Sequence, residues 1–120
     1  EAARRAYASG DNQATLRLLA LAERWPSTAR PGRIGTLRAD ALLELGKPDL
    51  ARTLYVAAAD ADPRYIWAVA GLAVLEARGD GPSASRRARA APHVERLERE
   101  FFGDAELPRA RAEVERRLSH

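Results

Sequence analysis

One pattern of punctuation recurs three times along this chain, and it restricts the possible folds more than any other feature. Each copy runs from a glycine-led turn, through a small alanine, to a proline. The first copy is Gly10-Asp11-Asn12-Gln13-Ala14, with Leu18, Leu21 and Pro26 following. The second is Gly46-Lys47-Pro48-Asp49-Leu50-Ala51, then Tyr55, Ala58 and Pro63. The third is Gly79-Asp80-Gly81-Pro82-Ser83-Ala84, then Ala88, Ala91 and Pro92. The alanines stand 37 and 33 residues apart. These intervals bracket the period of about 34 residues of helix-turn-helix repeats.

Physical chemistry explains the pattern. A glycine accepts the left-handed backbone that ends a helix. Pro48 and Pro82 stand in the first turn of the next helix, where a missing N–H costs nothing. A small Ala51 or Ala84 lets two helices approach closely, and Leu18, Tyr55 and Ala88 share its face four residues on. The proline one helix-length later stops the second helix. Composition agrees: 46% of residues are apolar but only 6% aromatic, so the core is built of Ala and Leu, both strong helix formers. The spacing predicts helices over 1–9, 12–25, 33–45, 48–61, 64–78, 82–91, 93–102 and 106–118. Ile34, Leu37, Ala41, Leu42 and Leu45 form the inward stripe of the third of these. Val94, Leu97 and Phe101 share one face near the C-terminus, and Val114 and Leu118 point inward after them. The expected fold is all-α: one domain over 1–120 of stacked antiparallel helix pairs. Three repeat-like pairs fill 1–91, and 92–120 is a cap or degenerate fourth pair, whose outer face must meet water.

In the third unit Trp67, Ala70, Gly71 and Val74 follow the spacing Trp-x-x-small-Gly-x-x-apolar. With Ala51, Tyr55, Ala58 and Pro63 before them, residues 1–91 resemble the tetratricopeptide repeat family. Departures are the truncated first unit, Gly35 and Arg38 at usually apolar places in the second, and Ala88 in place of an aromatic in the third. The resemblance implies a curved stack whose concave side, lined by the first helix of each pair, holds a protein or peptide partner. It carries the groove positions onto Arg4, Tyr7, Arg33, Asp40, Glu44, Tyr65, Leu72 and Glu76. Family members that clamp a terminal carboxylate use Lys, Arg and Asn there. Asp40 and Glu44 stand in such places here, which points instead to a ligand of mixed apolar and basic character. More weakly, residues 6–46 resemble the helical dimerisation region of alkyl sulfatases, which implies a non-catalytic accessory domain of a larger enzyme.

Chemistry-bearing motifs are missing from the sequence. There is no cysteine, so no disulfide or thiolate metal site. His93 and His120 lie far apart, and no metal-binding or calcium-loop spacing occurs. Asp60 and Asp62 precede Pro63 at a helix end, where Asp commonly serves the local turn. Ser83 and Ser85 open a helix and fit no nucleophile elbow. Gly79-Asp80-Gly81 lacks the strand and lysine of a phosphate loop. The chain is therefore expected to be no enzyme and to take no cofactor or metal. The net charge is +3, yet acids and bases alternate. Arg86, Arg87 and Arg89 are the nearest approach to a basic patch; a solvated helix face explains them better than a surface for nucleic acid or an acidic partner, which stays as a further alternative. No apolar run reaches the roughly 20 residues of a membrane span. Opening on Glu1 without methionine suits a trimmed or processed chain. Heavy Ala and Arg usage with one lysine suits a GC-rich bacterial genome, with cytoplasm and periplasm both open. Phe101 and Phe102 leave two options: folding back as a cap, or forming a seam in a homodimer.

Overall fold

The computed structural model describes residues 31–119 and, before them, Gln13, Leu16, Arg17 and Ala20, all four helical. The first repeat, with Arg4, Tyr7 and most of residues 6–30, lies outside the described residues. Five helices follow in order: α1 (Pro31–Glu44), α2 (Pro48–Ala61), α3 (Ile66–Ala77), α4 (Ser83–Glu100) and α5 (Leu107–Leu118). No strand occurs among the described residues, and none of their helices is long and apolar enough to cross a membrane.

The closest pairs are α1 with α2 and α3 with α4, and α3 packs on all four other helices. Its sequence explains that position. Ile66-Trp67-Ala68-Val69-Ala70-Gly71-Leu72-Ala73-Val74-Leu75 is apolar on every side, and nine of the twelve residues of α3 are buried; such a helix belongs in the middle. It contributes to all three parts of the core. Ile66, Ala68, Val69 and Ala70 meet Ala58, Ala59, Leu97, Phe101 and Ala110. Leu72 and Leu75 meet Ala39, Ala51 and Tyr55. Ala73 and Ala77 meet Val114 and Leu118.

The Gly46 turn and α2 form as the sequence predicts. Gly46 takes φ +76°, Pro48 opens α2, and Ala51, Tyr55 and Ala58 are buried. In the third unit the register differs. Of the two glycines in the turn, Gly81 takes the left-handed conformation, at φ +104°, so Gly81 and not Gly79 corresponds to Gly46, 35 residues earlier. The same offset relates Pro31 to Ile66 at the starts of α1 and α3. It also places Arg86, not Ala84, opposite Ala51: Ala84 and Ala88 are exposed, whereas Arg86, Ala90 and Leu97 are buried.

Pro92 does not stop its helix. The expected helices over 82–91 and 93–102 are one, α4, with Pro92 inside it. An interior proline costs about 3 kcal/mol, through a lost hydrogen bond and a clash with the residue four before it. Pro92 and Ala88 are both exposed, so the freed Ala88 carbonyl meets water. On the opposite side Arg86, Ala90, Val94, Leu97 and Phe101 form one inward stripe that runs past the proline. Leu97 and Phe101 pack beneath α3 and α5, and Val94 beside Val114 and Leu118. Phe102 alone stays out, 90% exposed. α5 buries Ala110, Val114 and Leu118 and shows solvent Arg109, Arg111, Glu115 and Arg116.

The inward face of α1 also departs from expectation. It is the small-residue face, Gly32, Thr36 and Ala39 with Ala41, that is buried, while Ile34, Leu37, Leu42 and Leu45 are partly exposed. Close approach explains the choice: a Cβ on Gly32 would lie 3.1 Å from Asp62 Cβ and 3.3 Å from Tyr65 Cδ2. Only a face of small side chains lets α1 lie this near the α2–α3 turn.

Candidate binding groove

Helices α1, α3 and α5 run in the same direction. Glu44, at the C-terminal end of α1, pairs with Arg78 just past α3 and lies 4.0 Å from Arg117 at the end of α5. At the opposite end, Gly32 of α1 abuts Asp62 and Tyr65 before α3, and Tyr65, Trp67 and Leu107 pack on a common cluster. A groove of about 930 Å³ runs between these helices. Its apolar lining comes from Leu37 and Leu43 of α1 and from Trp67, Ala70, Gly71 and Val74 of α3.

The groove is also lined by five arginines (33, 64, 78, 109 and 117) and five carboxylates (Asp40, Glu44, Asp104, Glu106 and Glu113). Most are committed to one another. Tyr55 donates its hydroxyl hydrogen to Asp40. Its ring lies flat on Gly71, so that a Cβ there would fall 2.2 Å from Tyr55 Cε1. One side chain of α2 thereby fixes α1 against α3. Glu113 receives Arg116 at 2.8 Å and Arg117 at 3.1 Å, and the hydrogen bonds from Arg116 in particular hold its carboxyl below the usual carboxylate range. Asp104 Oδ1 accepts the Glu106 backbone N–H at 2.8 Å, shaping the turn into α5. Arg109 reaches Glu106 at 3.4 Å. Beneath this surface Thr36 is buried, and among the described residues its Oγ1 has no hydrogen-bond partner.

Of the groove residues expected from the sequence, Arg33, Asp40, Glu44 and Tyr65 do line this groove. Leu72 and Glu76 do not. Leu72 is 5% exposed and packs among Ala39, Ala51, Tyr55 and Leu75. Glu76 turns to the other side of α3, where it receives Arg52 of α2 at 2.7 Å. His93 of α4 lies near that pair; burial lowers its pKa most, with Glu76 opposing and Arg96 and Arg52 adding to the shift. Trp67, Val74 and the charged residues of α5 belong to the groove although the sequence reading did not place them there. Trp67 carried a usable signal, since it opens the spacing that identified the third unit. The α5 residues carried none, because α5 begins 41 residues after α3 and outside the repeat interval.

The arginines that resembled a basic patch are spent within the fold. Arg86 is buried and donates to three carbonyls: Ala77 at 2.8 Å, Gly81 at 3.1 Å and Arg117 at 3.3 Å. These belong to the C-terminal ends of α3 and α5 and to the turn between α3 and α4. Arg87 forms a two-point pair with Glu115 at 2.9 and 3.2 Å, and Arg89 donates to the Asp80 carbonyl. No cluster of three or more His, Asp or Glu suited to a metal ion occurs among the described residues. No family model matches this chain, and neither a curated protein nor a solved structure matches it.

Proposed function

We propose that this domain is a tetratricopeptide-like repeat module that binds a peptide or a partner helix in the groove between α1, α3 and α5. One observation carries the reading. The first helices of successive pairs lie side by side and parallel, and together they line a groove with an apolar floor at Trp67, Ala70 and Val74. Two pairs related by a 35-residue offset support the repeat assignment, and α5 takes the place of a further first helix. A floor of aromatic and aliphatic side chains between charged walls suits an amphipathic segment, whose apolar side chains fill the groove while its polar ones meet the rim.

The test is an array of acetylated, amidated peptides of graded charge and apolarity, probed with the labelled domain and with a Leu37→Asn, Val74→Asn variant. Circular dichroism establishes that the variant is folded. Binding by at least one class that the variant loses supports the groove. Binding that the folded variant retains, or none by any class, overturns it.

A further inference from the structure

The charges in the groove are not equally available. Each of its five carboxylates already has a partner within the chain: Glu44 with Arg78, Glu113 with Arg116 and Arg117, Asp40 with the Tyr55 hydroxyl, Asp104 with a backbone N–H, and Glu106 with Arg109. Among the described residues, Arg33 and Arg64 make neither an ion pair nor a side-chain hydrogen bond. They lie at one end of the groove, since Arg33 is in the first turn of α1 and Arg64 is in the short turn that packs on Gly32. The opposite end is closed by the Glu44, Arg78, Arg117 and Glu113 pairs.

Arg33 is also badly placed for the fold itself. Helix N-termini favour acidic side chains, and cations there oppose the helix dipole. The first turn of α1 holds no acid, so Arg33 sits unpaired against that field. An anion bound beside it would meet the arginine and the dipole acting together.

We infer that the occupant of this groove is an acidic–apolar protein segment, with carboxylate side chains at Arg33 and Arg64 and apolar side chains over Trp67 and Val74. This rests on the groove-binding reading above. It reverses the basic preference that Asp40 and Glu44 suggested from sequence, because those two carboxylates are occupied internally.

Three labelled, acetylated and amidated peptides test it. They share one apolar face and carry three Glu, three Gln or three Lys at the same end, and fluorescence anisotropy measures their binding. The Glu peptide should bind most tightly. Arg33→Gln with Arg64→Gln should weaken it about fivefold, the size expected of two exposed ion pairs, and leave the Gln peptide unchanged. Arg111→Gln, outside the groove, should have no effect. Equal binding of the three peptides, a preference for Lys, indifference to the double substitution, or tighter binding of short oligothymidylate would overturn the inference. Should all three bind equally and be lost in the Leu37→Asn, Val74→Asn variant, the inference fails while the groove reading stands. Absence of binding by all three, or binding that this variant retains, removes both.

Discussion

Gly71→Ala is the sharpest test of how the helices are locked together. In an ordinary helix this change stabilises by about 1 kcal/mol, because alanine loses less backbone freedom than glycine. Nothing in the backbone of Gly71 opposes it, since among the described residues φ is positive only at Gly46, Gly81 and Gly103. The added Cβ, however, would lie 2.2, 2.6 and 2.7 Å from three carbons of the Tyr55 ring. That ring cannot retreat cheaply. Tyr55 is 1% exposed and packed with Ala39, Ala51, Leu72 and Leu75, and its hydroxyl is held by Asp40. Displacing it forfeits a hydrogen bond to a charged group, about 1.5–3 kcal/mol, and adds overpacking strain of about 1–3 kcal/mol. After the helical gain is subtracted, a net loss of about 1.5–5 kcal/mol follows. With a urea m-value of about 2 kcal/mol/M, the middle of the usual range, a midpoint about 1–2.5 M lower should be seen by circular dichroism.

The background matters more than the magnitude. Against Tyr55→Ala the clash is gone, and Gly71→Ala should turn stabilising by up to about 1 kcal/mol. Should Tyr55→Ala alone fail to fold, Tyr55→Phe supplies the second arm. It keeps the ring, so Gly71→Ala should remain destabilising there, with only the hydroxyl contribution removed. A Gly71→Ala protein as stable as the parent, or an equal penalty with and without the ring, would refute the contact.

Four further outcomes follow from the same geometry. Ala51→Trp introduces a large side chain at a fully buried site and should cost about 1–3 kcal/mol or more; an unchanged melting temperature would place Ala51 elsewhere. Thr36→Val removes a buried hydroxyl without a partner at nearly constant shape and should stabilise by about 1 kcal/mol, checked by urea midpoint. Arg86→Leu leaves the Ala77, Gly81 and Arg117 carbonyls without their donor and should destabilise by about 1–3 kcal/mol, whereas Arg86→Lys should rescue only part, because an ammonium lacks the planar fork. Burial depresses the His93 pKa, so its contribution is present above the unfolded value of about 6.5 and is lost as pH falls below it; His93→Gln should flatten the fall in melting temperature from pH 7 to 5, and an unaltered slope would contradict this.

The legible part of the fold was the part with contrast. In the second unit Gly46, Pro48, Ala51 and Tyr55 are four different residue types at fixed positions, and only one register satisfies them all. In the third, two glycines stand within three residues, and the alanines at 84, 88, 90 and 91 offer several equivalent faces. Only the backbone of Gly81 and the burial of Arg86 settle which face turns inward. Pro92 misled for a related reason: a proline signals a stop only where its missing hydrogen bond and clash are not outweighed, and an inward stripe running past it outweighs them. Groove positions on α1 were readable because that helix has a polar side. On α3 nearly every direction is buried, so periodicity could not separate Leu72, which faces the core, from Val74, which faces the groove.

The arginine content takes on a physical meaning once Arg86 is placed. At Arg86, which stands 35 residues after Ala51, a long cation enters the interior and donates to carbonyls rather than to a carboxylate. An unpaired buried charge is ordinarily costly, but the C-terminal ends of helices carry unsatisfied carbonyls and partial negative charge. Arg86 meets two such ends at once, α3 through Ala77 and α5 through Arg117. It therefore does for α5 what a small residue does for α1 and α2: it fixes where the neighbouring helix ends. The surrounding Arg78 and Arg117 neutralise Glu44 and Glu113 at the same end of the molecule. Positive charge is thus consumed where helices finish, and the part left unpaired in the groove lies where α1 begins. Among the described residues this division leaves no broad basic face, and it keeps Arg33 and Arg64 outside the internal pairs that the other groove arginines make.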